Sequence, residues 1–351
     1  MLELVPRREP SLPLQIATPV LALALTLLAG FIMFAALGKD PVRALSLIFL
    51  SPLGSMRGLS ELTVKATPLI LIATGLAIGF RAGIWNIGAE GQFVAGALAG
   101  GAVAIALHPI DGVWLLPLMA LAGIAGGMAW AAIPALLRTR FGANEILVSL
   151  MLVYVAVLLL SLMVHGPLRD PQSFGFPESK LFQPSALLPR LWSGGRAHIG
   201  FLVALAAAAV AFVILRRHHF GFAVRVLGEA PKAARFAGIS EQRMIWATFL
   251  ISGGLAGLAG LFEAAGPVGQ LVPGLPAGYG FSAIIVAFLG RLHPLGIIAA
   301  GLLLALTYIG GEMAQTTMSL PSATTSVFQG LLLFFLLATD VLVGYRLKWR
   351  G

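Results

Sequence analysis

The chain has 351 residues, 58% hydrophobic and 11% charged, with a mean hydropathy of +0.94, too apolar for a soluble domain of this length. Its 23 Lys and Arg against 14 Asp and Glu leave a net charge of +9. Most of the basic residues stand at the ends of apolar runs, so topology accounts for them and no nucleic-acid partner is expected. Cysteine is absent, which excludes disulfides, thiolate catalysis and Cys-based metal sites.

In chain order, apolar segments are readable near residues 16–38, 66–82, 92–107, 113–137, 146–164, 199–215, 244–262, 279–290, 295–311 and 323–343, which predicts an all-α polytopic membrane protein of about ten transmembrane helices, some of them broken. The first run is too long for the core of a cleaved secretion signal and reads as a retained helix. Residues 40–65 are interrupted by Pro41, Arg43, Pro52, Gly54 and Arg57 and read as an interfacial or re-entrant piece rather than a crossing. An amino terminus on the inside places Arg7, Arg8, Arg81, Arg138, Arg140, Arg216, Arg217, Arg225, Arg346, Lys348 and Arg350 on the cytoplasmic face. Lys39, Lys65 and Arg169 then fall in external loops. Both termini are expected in the cytoplasm, with residues 1–15 and 346–351 as short tails, 16–345 as one transmembrane domain, 165–198 as an external loop and 216–243 as a cytoplasmic loop.

The most informative stretch is GIWNIGAEGQ, from Gly83 to Gln92, which breaks two apolar runs with polar residues and glycines. Residues 66–107 hold two crossings only if almost nothing is left for a loop. Asn86, Glu90 and Gln92 are therefore expected at or inside the membrane boundary, where an unpaired carboxylate costs at least about 2.5 kcal/mol. Two readings stay open: a capped, tightly packed helix start with Asn86 as cap and Glu90 in the first turn, or the lining of a pathway. Trp85 reads as an interfacial anchor or a stacking platform. A second Gly/Pro-interrupted pair occupies 279–311, and paired interruptions of this kind point to a substrate site in transporters.

Asn144, in GANEILVSLMLVY, is placed to cap the next helix and is kept with Tyr154 among the pathway candidates. Gly253 and Gly257 have the spacing for close helix packing. The loop 216–243 carries PKAARFAG, a short helix with Pro231 in its first turn and Gly238 at its end. It fits a surface anchor or a rigid element receiving a push from a soluble motor. No GxxxxGK[ST], HExxH or GxSxG motif is present, the histidines are scattered, and no acid sits in mid-helix with an evident basic partner. An intramembrane enzyme and a metal site are not expected, and the chain itself binds no cofactor.

GIWNIGAEGQ, GANEILVSLML, FGFAVRVLGEAPKAARFAGIS and GYGFSAIIVAFLGRLHPLG, in this order between Pro68 and Gly330, resemble the permease subunits of ABC importers of the branched-chain amino acid and simple sugar type, and within them the nucleoside permeases served by Bmp-like lipoprotein receptors. The resemblance implies an inner-membrane subunit that pairs with a second, similar permease and with an ABC ATPase that holds ATP and Mg. An external substrate-binding lipoprotein would deliver a nucleoside or related polar solute, a simple sugar included. It also implies that the segment around Gly228–Gly238 docks on the ATPase. The residues assigned to the pathway are Trp85, Asn86, Glu90, Gln92, Asn144, Tyr154, Tyr279 and Phe281. Those assigned to coupling are Arg225, Gly228, Glu229, Lys232, Ala234, Arg235 and Gly238. Relatives commonly read MLNY where this chain has MLVY, so Val153 stands in place of an amide that could read a base or sugar. The alternative is a stand-alone carrier or facilitator for a small polar solute.

Overall fold

A computed structural model describes residues 2–6, 12–108, 110–321 and 323–349. Arg7, Arg8 and Arg350, assigned above to the cytoplasmic face, lie outside the described residues. Among the described residues the regular structure is helical apart from one ribbon, in which β1 (Leu2–Pro6) pairs antiparallel with β2 (Tyr345–Trp349).

The helices are α1 (Leu12–Ala36), α2 (Pro41–Phe49), α3 (Met56–Arg81), α4 (Ala89–Ala106), α5 (Leu115–Phe141), α6 (Glu145–His165), α7 (Gly200–Arg217), α8 (His219–Glu229), α9 (Pro231–Phe236), α10 (Glu241–Glu263), α11 (Tyr279–Leu289), α12 (Pro294–Met318) and α13 (Ala323–Gly344). Each of the ten apolar segments seeds one of them. Among the described residues, eight helices are long and apolar enough to cross a membrane, and α11 is too short at 11 residues. The start of α3 corrects one expectation. Residues 56–65 belong to the 26-residue helix running to Arg81, because SELTVK contains no breaker and good helix formers extend the apolar run backward. Lys65 is therefore a helix residue, not a loop residue. Residues 40–54 form a separate short helix and turn, as Asp40 caps α2 by accepting from the N–H groups of Val42 and Arg43 and a 3₁₀ turn follows.

The chain forms two compact units, 1–62 with 303–351, and 63–302. In the first, α1 lies along α13, with the Thr339 hydroxyl donating to the Thr18 carbonyl at 3.3 Å. Phe34, Ala44, Ile48, Ala314 and Leu320 form its small core. In the second, α4, α5 and α10 pack backbone to backbone. A Cβ on Gly96 would overlap the Gly257 backbone, and one on Gly257 would overlap the Gly123 carbonyl and lie 2.9 Å from the Gly127 Cα. The spacing of Gly253 and Gly257 does serve close approach, since Gly253 meets the Gly127 carbonyl in the same way.

The segment between α6 and α7 is a docked strap. Ser179, Phe182 and Leu188 donate their N–H groups to the carbonyls of Leu271, Gly269 and Ala265 at 3.0, 2.8 and 2.9 Å. It thereby covers the chain that leads out of α10, through a π turn and the left-handed Gly269, toward α11.

Candidate functional site

The two interrupted regions meet at Glu90. Gly88 ends the break after α3, and Glu90 is the second residue of α4. Its carboxylate accepts from the N–H of Gly278 at 2.8 Å and from that of Gly280, both at the start of α11, where helix geometry leaves donors without intrahelical partners. Gly278 takes the left-handed conformation, φ 78°, and a Cβ on Gly280 would overlap the backbone of Glu90. An anionic side chain at a helix N-terminus is favoured by the helix dipole, so the clasp is both a hydrogen-bonding and a charge arrangement.

Asn86 and Gln92 form a reciprocal amide pair. Asn86 Nδ2 donates to Gln92 Oε1 at 2.8 Å and to Ser252 Oγ at 3.0 Å, and Gln92 Nε2 donates to Asn86 Oδ1 at 3.0 Å. Asn86 Oδ1 also accepts from Gly88 N–H. It thus secures the turn before α4, while Gly88 occupies the cap position itself. Asn86, Glu90 and Gln92 are all buried. The sequence left packing and lining both open; here the three side chains brace the break between α3 and α4 against α10 and α11.

Tyr279, fully buried, donates its hydroxyl to Glu263 Oε1 at 3.4 Å, and the Lys65 ammonium lies 5.6 Å from its ring centroid. An acid, an aromatic ring and a base from α10, α11 and α3 are thereby brought together. Glu263 and Lys65, 198 positions apart in the sequence, each approach Tyr279.

An open aromatic stripe adjoins the clasp. On α11 only Phe281, Ile284 and Phe288 reach the surface, and their spacing puts them on one helix face. Trp85, 37% exposed, stacks on Phe288 with centroids 5.9 Å apart and meets Phe80 at 5.0 Å; Phe80 stacks on Phe288 at 5.4 Å. Phe80 and Phe288 were not picked out from the sequence, where a Phe in an apolar helix carries no distinguishing signal.

Asn144 and Tyr154 are not brought to this group. Asn144 caps α6, accepting from the N–H groups of Ile146 and Leu147 at 2.9 and 3.4 Å, and Tyr154 stands 62% exposed on the outer side of α6. Its neighbour Val153 is buried, with its Cα close to Gly91 of α4.

The coupling candidates sit on α8, α9 and the turn after them. Ala234 is fully buried in a cluster with Ile78, Ala82, Ala135, Leu215, Leu227 and Phe249. A Cβ on Gly228 would overlap the Arg81 carbonyl, so α8 rests directly on the end of α3. Gly238, φ 76°, closes α9 as Ile239 N–H returns to the Ala234 carbonyl. Arg225, Glu229, Lys232 and Arg235 face outward, as does Phe236 at 95% exposure, which the sequence reading passed over. Alongside, Arg138 pairs with Glu145 and reaches Glu241 at 3.5 Å, tying α5 to the starts of α6 and α10.

Together these features define a polytopic membrane protein in which two interruptions of the apolar helices are clasped to one another and a short surface helix is seated on helix ends. Residues 58–337 match the family described as the branched-chain amino acid transport system permease component, and the chain belongs to that family. It is 38% identical to the glucose ABC transporter permease protein TsgB13 of Haloferax volcanii over 98% of this chain and 93% of that one. It is 30% identical to the guanosine ABC transporter permease protein NupP of Bacillus subtilis, over 95% and 97% of the two chains. With the nucleoside ABC transporter permease protein NupB of Lactococcus lactis the identity is 28%, over 92% and 90%. The chain is a transport subunit.

Proposed function

We propose that this chain is one permease of an ATP-driven importer, carrying a nucleoside or related small polar solute, a simple sugar included, across the bacterial inner membrane. The observation that carries this reading is the open stripe of Phe281, Ile284 and Phe288 continued by Trp85. Flat aromatic faces stack on bases and on the apolar faces of sugars, the cargo classes named for the relatives. Glu90, Asn86, Gln92 and Tyr279 hold that stripe in place from behind. Tyr154 and Asn144 then belong to the outer surface and to a cap, and the pathway runs along α11.

In this reading the helices make ten segments across or into the bilayer, 16–345 work as one permease domain, and both termini lie in the cytoplasm. A second permease faces the stripe, an external lipoprotein delivers the cargo, and ATP with Mg resides on a separate ATPase. The loop 216–243 meets that ATPase. Ala234 and Gly228 seat α8 and α9 on the helix ends, whereas Lys232, Arg235 and Phe236 are left outward to receive the motor. Rigid seating lets a push on α9 reach the end of α3, next to the break that Glu90 clasps.

The test is uptake in cells together with affinity purification of the tagged chain from its own membrane. The unaltered chain is expected to bring down an ATPase and a second permease. Lys232→Glu with Arg235→Glu is expected to lower uptake by at least about tenfold and to release the ATPase, with the chain still in the membrane, since reversing two interface charges costs several kcal/mol. Unchanged uptake overturns the coupling role. Uptake that persists when the ATPase is lost favours the stand-alone carrier.

A further inference from the structure

A pocket of about 220 Å³ lies where the ends of α3 and α7 meet α8 and the start of α12. Its lining is Arg81, Arg216, Arg225 and His293 over a floor of Phe212, Leu215 and Pro294. These four basic side chains come from α3, α7, α8 and the turn before α12, and no carboxylate is among the lining residues. The Arg216 guanidinium lies 5.6 Å from the Phe212 ring centroid and the His293 ring stands edge-on to the same ring at 5.5 Å, so the aromatic ring orients both groups. Burial, together with the charges of Arg81 and Arg216, pushes His293 below the ordinary histidine range. The three guanidinium charges concentrated in this way oppose one another, and an anion would relieve the repulsion.

We propose that this pocket binds the phosphate headgroup of an anionic phospholipid. The shared chemistry is a phosphate anion, and the surroundings select the lipid as its source. On α7, Leu202, Ala206, Ala209 and Val213 are exposed and follow the helical spacing that leads to Arg216, on a helix apolar enough to span the membrane. Acyl chains attached to a headgroup in the pocket therefore have an apolar wall to follow. Basic pockets between transmembrane helices are a recurring form of acidic headgroup recognition. Arg81 and Arg225 also place the ligand beside the Gly228 contact, where α8 sits on α3, so the bound lipid stiffens the seat of α8.

The experiment uses the purified full chain in neutral detergent, titrated with phosphatidylglycerol, with phosphatidylcholine and with sodium phosphate at the same concentrations. Bound lipid is counted by native mass spectrometry and thermal stability is recorded in parallel. Phosphatidylglycerol is expected to be retained roughly tenfold better than phosphatidylcholine and to raise the melting midpoint. The preference is expected to vanish in Arg216→Gln with Arg225→Gln, and in His293→Gln with Arg216→Gln, while Arg217→Gln, which removes the same charge one residue on, keeps it. Retention of the preference in both pocket variants overturns the site. Equal stabilisation by sodium phosphate, with no preference between the lipids, overturns the lipid as the source.

Discussion

Glu90 is held by geometry that an amide cannot reproduce. Its two oxygens serve two backbone N–H groups, those of Gly278 and Gly280, whereas Gln offers one acceptor and presents an NH₂ to a donor. Hydrogen bonds to a charged partner contribute about 1.5–3 kcal/mol each. Glu90→Gln is thus expected to lower stability by about 2 kcal/mol and to impair uptake, with thermal unfolding in detergent as the measurement; an unchanged midpoint would contradict the clasp. His198 gives a second prediction at this scale. It is buried beneath Gly266, its Nδ1 accepts from Gly200 N–H at 3.2 Å, and burial lowers its pKa to about 4. Between pH 6.5 and 4 the unfolded chain binds the proton more readily, so stability is full above about 6.5 and falls as pH drops toward 4, by about 3 kcal/mol in all. Hydrogen exchange across 186–200 should reveal the strap loosening at pH 5 relative to pH 7.5 after correction for the intrinsic rate, with the difference abolished in His198→Gln. What was legible for single residues follows the range of their contacts. Asn144 could be read as a cap because its partners are two and three residues on. Glu90 could be recognised as significant, but not given its partners, because they lie 188 and 190 residues away.

Ten of the thirteen described helices were readable at the scale of elements, since each follows from an apolar run, and the stop at Gly238 follows from a left-handed glycine. The start of α3 was not, because a helix whose first ten residues mix charge and apolar groups looks like an interface until its packing is known. The strap between α6 and α7 was also invisible, since Pro, Ser and Gly in a loop carry no sign of the backbone it will bond. Helix packing gives the sharper test. Gly257 lies where α5 and α4 touch α10, and a methyl there meets backbone that cannot retreat. Gly257→Ala is expected to cost about 1–3 kcal/mol through overpacking, and Gly257→Leu to abolish monodisperse protein. Gly274→Ala, which meets nothing within 4 Å, is expected to be neutral. Fluorescence-detected size exclusion distinguishes these, and equal profiles for positions 257 and 274 would refute the close approach.

At the scale of the whole molecule the question is what the open face of α11 meets. A stripe facing lipid and a stripe facing a watery route beside a second permease have the same exposure in one chain, but they differ in solvent. The absence of cysteine makes the distinction accessible, because single thiols can be introduced without removing any. Maleimide reacts with the thiolate, which forms in water and not in hydrocarbon. In the assembled transporter Phe281→Cys is expected to react with a charged maleimide in intact membranes, to be protected by cargo, and to change its rate when ATP hydrolysis is blocked, since alternating access opens the route to one side at a time. Tyr154→Cys, on the outer side of α6, is expected to remain unreactive toward the same reagent. Equal silence at both positions would place α11 against lipid and move the route elsewhere. Reaction at position 281 that ignores both cargo and nucleotide would leave the stripe wet but outside the transport cycle.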